Sequence, residues 1–71
     1  MPHPEPGQVW VHSKTGNSYR VLHLATRECD LAPLVVYQRA GLPTAPVWVR
    51  PLAEWCQEVD GVPRFRLREG A

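Results

Sequence analysis

The chain has 71 residues, enough for one domain that buries only about 60% of the surface it exposes when unfolded. Eight basic residues against seven acidic ones leave a formal net charge of +1, which argues against a partner held by bulk charge, whether nucleic acid or an anionic membrane. Cys29 and Cys56 stand outside any Cys-x-x-Cys pattern, so neither a disulfide framework nor a zinc site is indicated and no metal or cofactor is expected. With no signal sequence and no apolar run of membrane-spanning length, no membrane partner is expected and a cytoplasmic protein is the default reading.

Residues 1–6 hold three prolines and read as a flexible lead-in, leaving residues 7–69 as the folded domain. Gln8 to His12 alternates with period two and predicts a first strand, with Val9 and Val11 on one face and Trp10 and His12 on the other. A Gly-Asn turn at residues 16–17 leads into a second strand over 19–26, where Tyr19 and Val21 oppose Leu22 and Leu24. Both of its faces are partly apolar, as in a strongly bent strand shared between two halves of a barrel. A polar loop ending at Pro33 precedes a third strand over 34–40, and residues 41–46 connect it to a fourth at Val47 to Arg50. Val47 and Val49 are expected in the core there, with Trp48 and Arg50 outside, and Pro51 stops the strand because it has no N–H to give to a ladder. Leu52, Trp55 and Val59 have helical spacing in a segment too short for more than two turns. Asp60 to Pro63 then breaks the chain before a last strand over 64–68, in which Phe65 and Leu67 point in and Arg64, Arg66 and Arg68 point out. The expected fold is mainly all-β: an SH3-like barrel of about five short antiparallel strands with one helical turn before the last, or alternatively a partly open barrel of the OB type. The two cysteines are expected to be buried or half-buried thiols.

The series Gly7-x-x-Trp10-x-His12-x-Lys14-x-Gly16, Tyr19-x-Val21, Val35-Val36-Tyr37, Val47 to Leu52 and Gly61-x-Pro63-Arg64-Phe65 resembles the small bacterial family called domain of unknown function 1653. The likeness runs from Gly7 to about Phe65, and Ser13, Thr15 and Trp55 depart from the family's usual residues. The resemblance implies a small stand-alone protein with no activity attached. It singles out Trp10, His12, Lys14, Tyr19, Tyr37, Trp48, Arg50, Arg64 and Phe65 as matched positions without naming a ligand for them.

If the valines fill the interior, Trp10, His12, Lys14, Tyr37, Trp48 and Arg50 gather outside it as one aromatic and cationic face. Such a face stacks on planar groups and grips anions. The bland alternative is that the rings belong to a peripheral core and Arg50 makes only a structural cation–π pair. The first functional expectation is a non-enzymatic binding module for a protein segment or a small anionic ligand. The second is single-stranded nucleic-acid binding, stacking on Trp48, Trp10 and Tyr37 with phosphate contacts from the basic strip Arg64, Arg66 and Arg68. The third is a self-assembling structural or adaptor protein, a homodimer through the same face. An enzyme is not expected: Cys56 stands near Glu54 and Glu58, and Cys29 lies between Glu28 and Asp30, neighbours that raise a thiol pKa rather than lower it. No metal-ligand spacing, triad or phosphate loop appears.

Overall fold

The computed structural model describes residues 3–68. Its elements follow in the order β1 (Val9–His12), β2 (Ser18–Thr26), β3 (Pro33–Arg39), β4 (Val47–Pro51), α1 (Leu52–Trp55), β5 (Glu58–Val59), β6 (Val62–Pro63) and β7 (Phe65–Leu67). Five strands form one antiparallel sheet in the order β4-β3-β2-β1-β7, and β5 and β6 pair separately. The mainly β architecture with a helical turn before the last strand is therefore present. Barrel closure is not: β4 and β7 lie at opposite edges of an open sheet. β7 is only three residues long and β1 only four, so the sheet ends in a short edge that does not pair back with β4.

The register sorts the side chains onto two faces. Cross-strand partners share a face, so the pairs Trp10 with Tyr19, Trp10 with Leu67, His12 with Phe65, Val21 with Tyr37, Tyr37 with Trp48 and Val35 with Arg50 define an inner face. The pairs Val11 with Arg66, Val36 with Val49 and Gln38 with Val47 define the outer one. A bulge between Val21 and His23 reverses the alternation of β2. The rings, not the valines of β4, take the inside, and Val9 of β1 is buried as well, at 7%, though outside the ring cluster. Trp10 is 3% and Tyr37 6% exposed, whereas Val47 is 54% and Val49 56% exposed, which corrects the expected orientation of β1 and β4. In so small a core, a large ring removes more apolar surface from water than a valine at the same site, so the ring-bearing face is the one that folds inward.

The core is a box of rings. Trp55, delivered by α1, stacks parallel on Phe65 at 3.8 Å between centroids, and meets Trp10 at 5.7 Å and Tyr37 at 5.0 Å edge to face. Val21 and Val35 complete it, fully buried, with Tyr19, Leu52 and Leu67 packed against it. α1 is a single turn, as expected, and the chain extends again at Glu58 to make the β5–β6 hairpin. Asp60 and Gly61 both have positive φ, 55° and 78°. These are the two central residues of the tight turn that Asp-Gly favours in hairpins.

The proline-rich lead-in is tied down over residues 3–6, against expectation. Pro4 is fully buried, and the Gln8 Oε1 accepts from both the Glu5 amide at 2.8 Å and the Trp10 Nε1 at 3.0 Å. The Gly7 amide then donates to the Val21 carbonyl at 2.9 Å. Residues 1–2 of that lead-in, and residue 69 of the expected domain, lie outside the described residues. Cys29 and Cys56 are both exposed, not buried: one sits in the β2–β3 loop and the other just past α1, where neither packs on the ring core. Among the described residues, no helix is long and apolar enough to cross a membrane.

Candidate functional site

The inner face is only partly roofed by α1, and where the roof ends a pocket opens. Tyr19 of β2, Tyr37 of β3, Trp48 and Arg50 of β4 and Phe65 of β7 line it, around about 290 Å³. That is the low end of the range for ligand sites, matched to one side chain or one planar group. Trp48 sits on the edge strand and stays 51% exposed, while its cross-strand partner Tyr37 is buried.

Arg50 crosses the pocket. Its Nε donates to the Tyr37 hydroxyl at 3.2 Å, its guanidinium lies over the Phe65 ring at 5.6 Å, and its Nη1 is 3.8 Å from the Glu54 carboxylate one turn on. The Tyr37 bond and the Phe65 ring fix the direction of the fork, and the Glu54 contact is too long for a hydrogen bond. A planar fork held in this way has donors left for an incoming oxyanion.

A second cleft adjoins this pocket through Phe65. His12 packs edge-on against that ring at 5.1 Å, and with Ser13, Lys14, Val59, Asp60, Val62, Pro63 and Arg64 it lines a space of about 420 Å³. The Ser13 hydroxyl donates to the Pro63 carbonyl and fastens the β5–β6 hairpin to the β1–β2 turn. Burial pushes the His12 imidazole below its ordinary pKa, and the positive charges of Arg50, Arg64 and Lys14 push in the same direction. All three cations are therefore near enough to disfavour a positive charge on this ring.

The six residues nominated from the sequence thus divide. Tyr37, Trp48 and Arg50 meet in one pocket, His12 and Lys14 stand in the cleft beside it, and Trp10 lies in the core away from both linings. Tyr19, Phe65, Trp55 and Glu54 were not nominated. The family resemblance matches Tyr19 and Phe65, and alternation turns Phe65 inward, but that both share the inner face of Trp10 and His12 appears only once the strand pairings are known.

The basic strip Arg64, Arg66 and Arg68 does not form one surface. Arg64 precedes β7 and turns into the His12 cleft, its Nη2 donating to the Gln57 Oε1 at 3.2 Å. Arg66 is an outer-face partner of Val11. Arg68 joins Arg20 and Arg39 along another shallow cleft, next to Val9 and the glycines of the turns.

No strand of the five-stranded sheet contains Asp or Glu, although Arg20, Arg39, Arg50 and Arg66 lie in it. The acidic residues of the described chain sit before β1, in the β2–β3 loop, in α1 and in the β5–β6 hairpin. A net charge near zero hides a cationic sheet. Among the described residues, no group of three or more His, Cys, Asp or Glu is arranged to hold a metal ion.

A family model described as a protein of unknown function (DUF1653) matches residues 8–67, a span that holds every residue of the pocket and of the cleft beside it. Comparison with curated proteins and with solved structures finds no match to the chain.

Proposed function

We propose that this domain, which belongs to the DUF1653 family of proteins of unknown function, is a non-enzymatic binding module. Its ligand is a planar group carrying negative charge, presented by a protein segment or by a small anion, and it enters the pocket between Trp48 and Arg50. The observation that carries this reading is the pairing of a half-exposed indole with an oriented guanidinium around one small pocket. Stacking on the ring and a charge-assisted bond to the fork are contacts that such a group satisfies together. The neighbouring cations Lys14 and Arg64 extend the same positive field along the cleft.

Single-stranded nucleic acid is the second reading, supported by the acid-free sheet and by the convergence of Arg20, Arg39 and Arg68 on one cleft. Its stacking platform is narrower than the sequence suggests. Trp10 and Tyr37 are buried and only Trp48 offers a ring face to a base.

One titration tests both readings. Amide shifts are followed while benzoate, mononucleotides, short peptides combining aromatic and acidic residues, and a thymidine oligonucleotide are added in turn. The first reading expects shifts at Tyr19, Tyr37, Trp48, Arg50 and Phe65, and a Trp48→Ala variant that stays folded but binds at least about tenfold more weakly. The second expects the oligonucleotide to bind with an affinity that falls steeply as salt rises, through counterion release. Silence at the pocket with every probe sinks the first reading, and a salt-independent or absent oligonucleotide response sinks the second.

A further inference from the structure

The sheet has two edges, and they are built differently. β7 is three residues long, with Arg66 at its centre and Arg64 and Arg68 flanking it. Short length and regularly placed charge are the devices that keep a sheet edge from pairing with another chain. β4 has neither. Val47, Trp48 and Val49 are consecutive and all more than half exposed, and the single charge of the strand, Arg50, lies on the inner face. No bulge interrupts its register with β3, and its proline stands only at the last position.

We propose that β4 is the seam of a symmetric dimer, in which it pairs antiparallel with β4 of a second copy and joins the two five-stranded sheets into one. The occupant follows from the strand itself. Antiparallel neighbours share a face only in registers centred on a residue, and a two-fold axis through Val49 satisfies every side chain. Val49 meets Val49 of the second copy, and Val47 meets its Pro51, so the outer face of the seam is aliphatic. On the inner face Trp48 stands opposite Arg50 of the second copy, whose aliphatic stem packs beside the indole while its guanidinium stays on Tyr37 and Phe65. No like charges stand opposite one another in this register.

The seam sets the Arg50 stem of the second copy beside each Trp48, yet it depends only on the free edge and not on any ligand of that pocket. A five-residue strand pair with its flanking side chains falls below about 1,200 Å² of total buried surface, the low end for specific interfaces. The dimer is therefore weak and reversible.

Sedimentation of the full chain from roughly 10 μM to roughly 1 mM brackets dissociation constants of that order. The mass is expected to rise from the 8.0 kDa of the monomer towards twice that value and to fall again on dilution. Amide exchange on the unsubstituted protein is expected to slow along β4, and not along β7, as concentration rises. Val49→Lys puts two ammonium groups on the axis at a site where the monomer is open to solvent. It is expected to weaken the dimer at least about tenfold, through like charges placed directly opposite. Val62→Lys, at an exposed valine of the separate hairpin, is expected to leave it unchanged. A mass of 8.0 kDa throughout, exchange slowed elsewhere than β4, a dimer indifferent to Val49→Lys, or one abolished by Val62→Lys would each overturn the proposal.

Discussion

Four valines in one sheet had two opposite fates. Val21 and Val35 are fully buried under the ring box, while Val47 and Val49, one or two strands away, are more than half exposed. All four lie in regular strands with alternating neighbours, so neither residue type nor local pattern separates them. What separates them is the company on each face. Val21 and Val35 share theirs with Trp10, Tyr37 and Phe65, onto which α1 lays Trp55. Val47 and Val49 share theirs with Gln38 and Val36, and α1 does not pack there. Alternation therefore specifies which residues travel together, and the total area of each set decides which set goes inside.

Removing the residue that imposes this choice should have the largest effect. Trp55 makes ring contacts to Trp10, Tyr37 and Phe65 and is 1% exposed. Trp55→Ala should cost about 3–5 kcal/mol. That is comparable with the whole stability of a chain this short at roughly 0.05–0.15 kcal/mol per residue. Thermal and urea melts followed by circular dichroism should find it largely unfolded at room temperature. A cooperative melt near that of the unsubstituted protein would show that the inner face does not need its roof.

The valines themselves sharpen the contrast on a smaller scale. Val35→Ala removes two buried methyl groups and leaves a void, costing about 2 kcal/mol. Val49→Ala at low protein concentration should stay within about 0.5 kcal/mol, the range of ordinary surface sites. Urea midpoints of the two variants measured side by side check this. Equal losses would mean that the outer face carries packing as dense as the inner one.

The same contrast explains what the sequence could disclose. Alternation placed all five strands of the sheet within a residue or two, and Pro51 marked the end of β4 because a missing N–H is a local property. The Trp48 and Arg50 pair was also visible as two residues of one parity. The direction in which that parity points was not, because it depends on what packs across the sheet, and Trp55 arrives from a separate turn of helix. The bulge at Leu22 was hidden for a similar reason, since it is defined by the partner strand. The β5–β6 hairpin was readable in principle from Asp60-Gly61 between apolar residues, the strongest short hairpin signal. Its strands are two residues long, too short for any periodicity to show.

The smallest predicted effect lies on the boundary between the faces, at His12. Its ring borders the core through Phe65 yet stands among Arg50, Arg64 and Lys14, and its folded pKa is lowered from 6.5. Above that ordinary value the ring is neutral in both the folded and the unfolded chain, and it adds no pH dependence. As pH falls from 6.5 towards the lower folded value, the unfolded chain takes up a proton that the folded chain refuses, so stability declines. Below the folded value both states are protonated, and the loss reaches a plateau. His12→Gln should flatten this part of the profile, and Arg50→Gln should shrink it by removing one of the three cations that add to the effect of burial. Urea midpoints taken from pH 7.5 to pH 5, a range spanning the ordinary histidine pKa of about 6.5, check both, with His23→Gln as the exposed control. A decline that survives His12→Gln would mean that burial and the neighbouring cations do not hold the pKa of this ring down.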